Sequence, residues 1–253
     1  MVVLFDLTGR KALVTGASRG IGAAAANALA EAGADIALLA RDTVGLNHTA
    51  DRVREHGRTA HVIECDLSVA ENIDAAVASA QSACGHIDIL INNAGIIRRS
   101  PAVDYSLDDW RDVLDVNLTS MFRMSQVVGR AMIERGSGKI INIASLLSFL
   151  GGVNVIGYTA SKSAIAGMTR GLANEWAKHG VNVNAIAPGY FHTDATSSLQ
   201  QNPERYEALR ARIPAGRWGE PAELGGTIVY LASSASDYVH GHVLAVDGGF
   251  LAA

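Results

Sequence analysis

A single α/β domain is predicted, with a parallel sheet of about seven strands flanked by helices on both faces. Three observations carry this expectation. Short apolar runs alternate with stretches of helical length from residue 11 onward, the pattern of repeated strand–helix–strand units. The first run ends in a glycine cluster that opens a helix. The 253 residues, 49% of them apolar, suit one sizeable core, so residues 1–253 read as one domain.

The elements follow in order. Residues 11–15 form a strand that enters the glycine turn 16–22, and the Ala-rich sequence after it is a helix that stops at Gly33. A second strand covers 35–40, with Arg41 just past its end. A helix near 43–56 leads through Gly57 to a third strand, 60–65, closed by Asp66. The helix near 70–84 turns at Gly85 into a fourth strand that runs into Asn93. One long helix is predicted over about 107–134, with Asn117 in its apolar middle, where Asn costs propensity unless it satisfies a backbone group or has a task. Strand 139–144 ends at Ser145, and the helix carrying Tyr158 and Lys162 follows. Strand 181–187 runs into Pro188 and Gly189. Residues 194–219 are polar and aperiodic, and too long for an idle connection, so they are expected to form a lid. A helix over 221–232 and a strand over 243–246 finish the sheet. Ligands of such sheets lie at the strands' C-terminal ends, where Gly16, Arg41, Asp66, Asn93, Ser145 and Pro188 all fall.

Composition excludes several classes. A net charge of -4 with scattered basic residues argues against a nucleic-acid surface. No apolar run approaches the ~20 residues of a membrane span. The N-terminus lacks a basic region followed by an apolar signal core. Cys65 and Cys84 are the only cysteines, which suits a reduced cytoplasm without disulfides. His240 and His242 lack a third ligand, so no metal is expected.

The chemistry concentrates at Tyr158 and Lys162. Four residues apart, they share a helix face, and an ammonium beside a phenol favours phenolate and lowers its pKa from ~10. Such a pair alone is usually an amphipathic surface arrangement. Ser145, thirteen residues upstream at a strand end, adds a hydroxyl able to hold a carbonyl oxygen while Tyr158 supplies the proton. It lacks the G-x-S-x-G elbow of a hydrolase nucleophile.

Gly16, Gly20 and Gly22 let backbone approach a pyrophosphate at a helix N-terminus, which points to a dinucleotide. Ala40 leaves empty the place where an acid would take the ribose hydroxyls of NAD. Arg41 and Arg19 would flank a 2′-phosphate, so NADP(H) is expected over NAD(H), with Asp42 as the opposing charge.

Thr15-Gly-Ala-Ser-Arg-Gly-Ile-Gly22, Asn92-Asn-Ala-Gly95, Asn117, Ser145, Tyr158 and Lys162 occur in the order and spacing of the short-chain dehydrogenases/reductases, which the chain resembles over nearly its whole length. The resemblance implies a doubly wound Rossmann-type fold, a homotetramer, and a catalytic tetrad of Asn117, Ser145, Tyr158 and Lys162. Asn117 would anchor a water of the proton relay. It places Gly16, Ser18, Arg19, Gly20, Ile21, Gly22, Arg41, Asp66, Leu67, Asn93, Ala94, Gly95, Tyr158, Lys162, Pro188, Gly189 and Thr193 at the cofactor. Ile96-Ile-Arg-Arg99, the stretch 141–149, Ile213-Pro-Ala-Gly-Arg-Trp-Gly219 and the stretch 232–238 are similar to the sugar-acid branch, which acts on gluconate or 2-keto-3-deoxygluconate. Relatives acting on the ketodeoxy acid tend to carry Arg where this chain has Asn154. Substrate contacts are expected from Arg98, Arg99, Ser145, Leu147, Asn154, Tyr158, Tyr190, His192, Arg217 and Trp218. A ketoreductase acting on acyl-carrier thioesters and a cofactor-binding protein without turnover are the rival readings.

Overall fold

Parallel strands cannot be joined by tight turns, so each must be followed by a crossover long enough for a helix. The structure describes residues 4–253, in a computed structural model. Its strands are β1 (Lys11–Thr15), β2 (Asp35–Ala40), β3 (Ala60–Glu64), β4 (Ile89–Asn92), β5 (Gly138–Ile143), β6 (Val181–Pro188) and β7 (Val243–Val246). They form one sheet in the order β3-β2-β1-β4-β5-β6-β7, every pair parallel. The order reverses between β1 and β4, so a crevice opens there at the strands' C-terminal ends.

The helices are α1 (Gly20–Glu31), α2 (Thr43–Glu55), α3 (Ala70–Cys84), α4 (Leu107–Leu114), α5 (Ser120–Arg135), α6 (Ile156–Trp176), α7 (Ser197–Gln200), α8 (Pro203–Arg210) and α9 (Gly225–Ala232). Side chains alternate along each strand, so Ala12 and Val14 meet Leu29 of α1 and Ile228 of α9 in one core. Leu13 points the other way, toward Val77 of α3, Val128 of α5 and Trp176 of α6. Each such buried aliphatic side chain is worth about 1.5–3 kcal/mol. Among the described residues no helix is long and apolar enough to cross a membrane.

Three expectations are corrected. The long helix over 107–134 is two helices joined by a π turn, Asp115–Thr119, whose extra residue turns Asn117 inward. Residues 221–232 begin as a 3-10 turn, Pro221–Leu224, before α9. The segment 194–219 is not aperiodic coil, since it holds α7 and α8. Helix α8 has ordinary start signals: Asn202 accepts from the Arg205 amide at 3.0 Å, and Pro203 is its first residue. It buries no residue, so it has no apolar stripe to betray it.

A polar chain crosses the buried middle of the sheet. Asn92 Nδ2 donates to Ser125 Oγ at 2.9 Å and to Asn142 Oδ1 at 3.0 Å, and Asn142 Nδ2 donates to Thr169 Oγ1 at 3.0 Å. The two hydroxyls in turn donate to the Met121 and Ile165 carbonyls, each at 2.8 Å. Four elements, β4, β5, α5 and α6, are thereby locked in register. Helices α5 and α6 also touch closely at Gly129, where a Cβ would lie 2.6 Å from the Trp176 ring.

Replacing Asn142 by Leu would strip Asn92 of an acceptor and Thr169 of a donor in a dry interior. The Asn142→Leu chain is expected to lose about 2–3 kcal/mol of stability, read as a lower urea midpoint at unchanged m-value. An unchanged midpoint would show that the chain of bonds adds nothing to stability.

Candidate active site

The cradle at the end of β1 comes from what its residues lack. A Cβ on Gly22 would sit 2.2 Å from the Gly16 carbonyl oxygen, and Gly16 itself has φ +64°. Only glycine closes this turn. Helix α1 follows with no side-chain cap, so its first N–H groups face outward, as an anion site requires. Asn93, at the end of β4, clasps the loop: its Nδ2 donates to the Thr15 and Gly16 carbonyls at 3.0 and 3.2 Å. The Thr15 hydroxyl accepts from the Asn93 and Ala94 amides at 2.9 and 3.1 Å and donates to the Ile91 carbonyl. Ser18 abuts the start of α2 at Gly45, while Gly20 faces Thr193, whose methyl would lie 3.7 Å from an added Cβ. These residues fit the pyrophosphate of a dinucleotide. A cavity of about 1000 Å³ reaches the loop from outside, along the outer face of α1 from Arg19 to Glu31; none of the tetrad lines it.

The tetrad residues come from three places, the π turn, the end of β5 and α6, and do converge. Lys162 is 3% exposed, and its Nζ donates to the Ile143 carbonyl at 2.6 Å and lies 5.5 Å from the centre of the Tyr158 ring. A side chain at position 95 would crowd this place, because a Cβ there would be 3.2 Å from Asn117 Oδ1 and 3.9 Å from Lys162 Nζ. Burial lowers the Lys162 ammonium from 10.5 to about 8. Burial also pushes the Tyr158 phenol up, with the Ser145 hydroxyl and the Arg99 guanidinium pulling the other way. The sequence-based expectation that Lys162 lowers the phenol is corrected on this point: desolvation is the largest effect in the unliganded protein. Ser145 Oγ accepts from the Leu147 amide at 3.2 Å. Asn117 is fully buried; its Oδ1 accepts from the Ile96 amide at 2.7 Å, and its Nδ2 donates to the Ile96 carbonyl and to Ser161 Oγ at 3.0 and 3.2 Å. Its side chain therefore completes the backbone of the strand extension past Gly95.

The sequence profile of a family described as enoyl-(acyl carrier protein) reductase matches residues 16–251. The chain belongs to the short-chain dehydrogenase/reductase family. It is 52% identical to a 2-dehydro-3-deoxy-D-gluconate 5-dehydrogenase of Bacillus subtilis, over 98% of this chain and 96% of that one. It is 44% identical to a gluconate 5-dehydrogenase of Gluconobacter oxydans, over 97% and 96%. A crystal structure of a gluconate 5-dehydrogenase from Burkholderia cenocepacia, in complex with NADP and tartrate, superposes with a TM-score of 0.95 at 43% identity, covering 99% of this chain and 98% of that one.

Around this short-chain dehydrogenase/reductase centre, the other expected residues divide. Asp66 is turned to Ser68, whose amide and hydroxyl donate to it at 2.9 and 2.8 Å and hold its carboxyl below the usual range. Its other oxygen lies 3.6 Å from Arg41. Leu67 is buried in the core beside α3. Pro188 ends β6, and Gly189 packs so closely that a Cβ would meet Asp247 Cα at 2.7 Å. Thr193 caps a 3-10 turn, and Arg19 pairs with the adjacent Asp194 at 3.3 Å.

On the substrate side the arginine pair splits. Arg98 is held by Asp109 at 3.3 Å and Asp112 at 3.6 Å on α4, whereas Arg99 forms no ion pair among the described residues and its charge reaches Tyr158 and Tyr190. Asn154 is at φ +61°, a conformation Asn tolerates, and its carbonyl accepts from the Ser100 amide at 3.0 Å. Arg217 and Trp218, expected at the substrate, both have partners within the protein. Both Arg217 Nη atoms donate to Glu223, at 2.8 and 2.6 Å, and Trp218 is 2% exposed in a cluster with Tyr190, His192 and Tyr206. His192 Nδ1 lies 3.3 Å from Gln200 Oε1. His240 Nε2 lies 3.2 Å from Asn182 Nδ2. Thr15, Ser161 and Tyr206 were not foreseen; only Thr15, directly before the glycine turn, carried a sequence signal.

The low Lys162 pKa has a consequence for stability. The folded state holds this proton less tightly than the unfolded chain, so a charged Lys162 costs about 3 kcal/mol below pH ~8. The cost is relieved as pH rises from ~8 to ~10.5, where only the unfolded chain stays protonated. Lys162→Met forfeits the bond to Ile143, worth about 1–2 kcal/mol. The variant is expected to be more stable than the parent by ~1–2 kcal/mol at pH 7 and to lose that advantage by pH ~10. Urea unfolding at the two pH values checks this, and a variant less stable at pH 7 would contradict it.

Proposed function

We propose that the chain is an NADP(H)-dependent oxidoreductase that interconverts a secondary alcohol and a ketone on a sugar acid of gluconate or 2-keto-3-deoxygluconate type. The observation that carries the reading is the Lys162 ammonium buried against the Tyr158 ring at the C-terminal end of β5. When bound, the nicotinamide supplies hydride exchange. Tyr158 moves the proton at the substrate oxygen, and Ser145 holds that oxygen. Charge develops on one atom, so each donor aimed at it is worth about 3 kcal/mol of barrier. Lys162 holds the nicotinamide ribose.

Relatives named for these acids, and a similar structure with NADP, support substrate and cofactor. At the end of β2, Ala40 leaves the acid's place empty while Arg41 and Arg19 stay largely exposed, each held by one carboxylate. Asp42 does not oppose them freely, for its Oδ1 accepts from the Gly45 amide at 3.1 Å and caps α2. Arg99, without an ion pair among the described residues and near enough for its charge to act on Tyr158, takes the carboxylate. Residues 194–219 act as the lid, hinged where the Tyr190 carbonyl and the His192 amide both bond to Gly219 at 2.9 Å. The working form is a cytoplasmic homotetramer, with the exposed Val103, Leu107 and Phe122 available for contact between copies. A ketoreductase of acyl-carrier thioesters is the second reading, favoured by the exposed Phe149, Leu150 and Val153 just past Ser145.

A panel of sugar acids, polyols and acetoacetyl thioesters, followed by cofactor absorbance, separates the readings. With the best substrate, Tyr158→Phe is expected to lower kcat at least ~100-fold and leave NADP(H) affinity unchanged. Retained turnover would remove Tyr158 from the chemistry. For Arg99→Met, kcat/KM on the acid is expected to fall by ~1.5–3 kcal/mol, about 10- to 150-fold, with little change on the matching neutral polyol. Equal losses on both substrates would assign Arg99 to structure.

A further inference from the structure

The residue before Tyr158 is fixed from outside its helix. Tyr105, just ahead of α4, places its hydroxyl where a Cβ on Gly157 would lie only 2.8 Å away, with ring carbons Cζ and Cε1 at 3.3 and 3.4 Å. That hydroxyl is fully buried and has no hydrogen-bond partner; among the described residues only the Trp218 indole shares this condition. Burial pushes the phenol up, so it stays a neutral, unpaired donor. An orphaned buried donor is costly and rare, and a glycine in the first turn of a 21-residue helix costs propensity as well. Two unfavourable features meeting at one contact beside the reacting phenol mark a place where local stability is sacrificed. Helix α6 also begins at Val155 without a side-chain cap, and the local side-chain bond at its first turn is a long one, from the Gly152 amide to Thr159 Oγ1 at 3.3 Å.

We infer that Tyr105 is a positioning residue for the reaction proposed above, a wedge against the bare backbone of Gly157 that sets where the first turn of α6 presents Tyr158. The segment ahead of α4 is itself anchored: Arg98 pairs with Asp109 and Asp112, and the Ser100 amide bonds to Asn154. The frame that holds Tyr105 is therefore the one that carries Arg99. The wedge sets the distance from the phenol to the substrate oxygen, and a small displacement there is expensive, since 1 Å can cost ~100-fold in rate.

Three variants test this: Gly157→Ala, Tyr105→Phe and the double variant. With no clash, Gly157→Ala in a helix should raise the unfolding midpoint. The wedge predicts a lower midpoint and a kcat at least about tenfold down, while NADP(H) affinity, measured by fluorescence titration, stays within about twofold. Tyr105→Phe removes the atom at 2.8 Å, so the double variant should recover most of the lost kcat and midpoint. A Gly157→Ala protein that turns over within about twofold of the parent, or a double variant as slow as the single one, overturns the wedge. Should the parent chain reduce or oxidise no panel substrate, the proposed function fails instead. The midpoints alone then decide, and a raised one for Gly157→Ala overturns the wedge.

Discussion

One ammonium buried beside the sheet constrains everything around it. Lys162 cannot leave water without an acceptor, and the one it has is the carbonyl of Ile143, the last residue of β5. That bond ties α6 to the sheet at the strand end, where the ladder no longer uses the carbonyl. Beside it, a side chain at position 95 would crowd Asn117, whose Oδ1 would lie 3.2 Å from an added Cβ. Desolvation brings the ammonium to about 8 and raises the phenol next to it. The two groups are thus moved apart on the pH scale, and the pair holds a neutral phenol beside an ammonium that releases its proton more readily than one in water.

The second constraint is the break between α4 and α5. A regular helix over 107–134 would spend the side chain of Asn117 on a face with no partner. The π turn inserts one residue, leaves the Val116 carbonyl to the Ser120 hydroxyl at 2.7 Å, and aims Asn117 at both polar groups of Ile96. Past Asn93-Ala-Gly95 the chain has left β4, and the Asn117 amide group supplies both bonds at Ile96. Once Ile96 is pinned, Arg98 falls toward the acids of α4 and Arg99 toward the phenol. The two adjacent arginines thus stand in different surroundings.

Beyond β6 the architecture changes from packed core to aromatic stacking. Helices α7 and α8 bury no residue, and Tyr206 joins them to the body by stacking on Trp218 with centroids 4.8 Å apart. Trp218 is held from behind by the Arg217–Glu223 pair and beneath by Tyr190, which also packs on Phe250. Leu199 and Leu209 pack on the same cluster, Gln200 Nε2 donates to the Thr193 carbonyl at 3.1 Å, and the segment's two ends are bonded together at Gly219. The ring cluster that supports it also takes in His192, near the end of β6.

Local spacing determined a large part of this protein by itself. Seven apolar runs, the glycines at 16, 20 and 22, and Tyr158 four residues before Lys162 are short-range patterns, and the backbone geometry of strands, turns and helices reads them directly. The C-terminal edge of a parallel sheet then collects Gly16, Asn93, Ser145 and Pro188 on one side without further information. Helix α8 escaped because its only signals were a cap and a proline, with no buried stripe. The division of Arg98 from Arg99, the commitment of Arg217 to Glu223, and the contact of Tyr105 with Gly157 join residues that no periodicity relates. Even the pKa of Tyr158 moved opposite to what its spacing from Lys162 suggests, since spacing reports which groups are neighbours. How much water both have lost is decided by helices and strands far along the chain, and only the packed structure sets it.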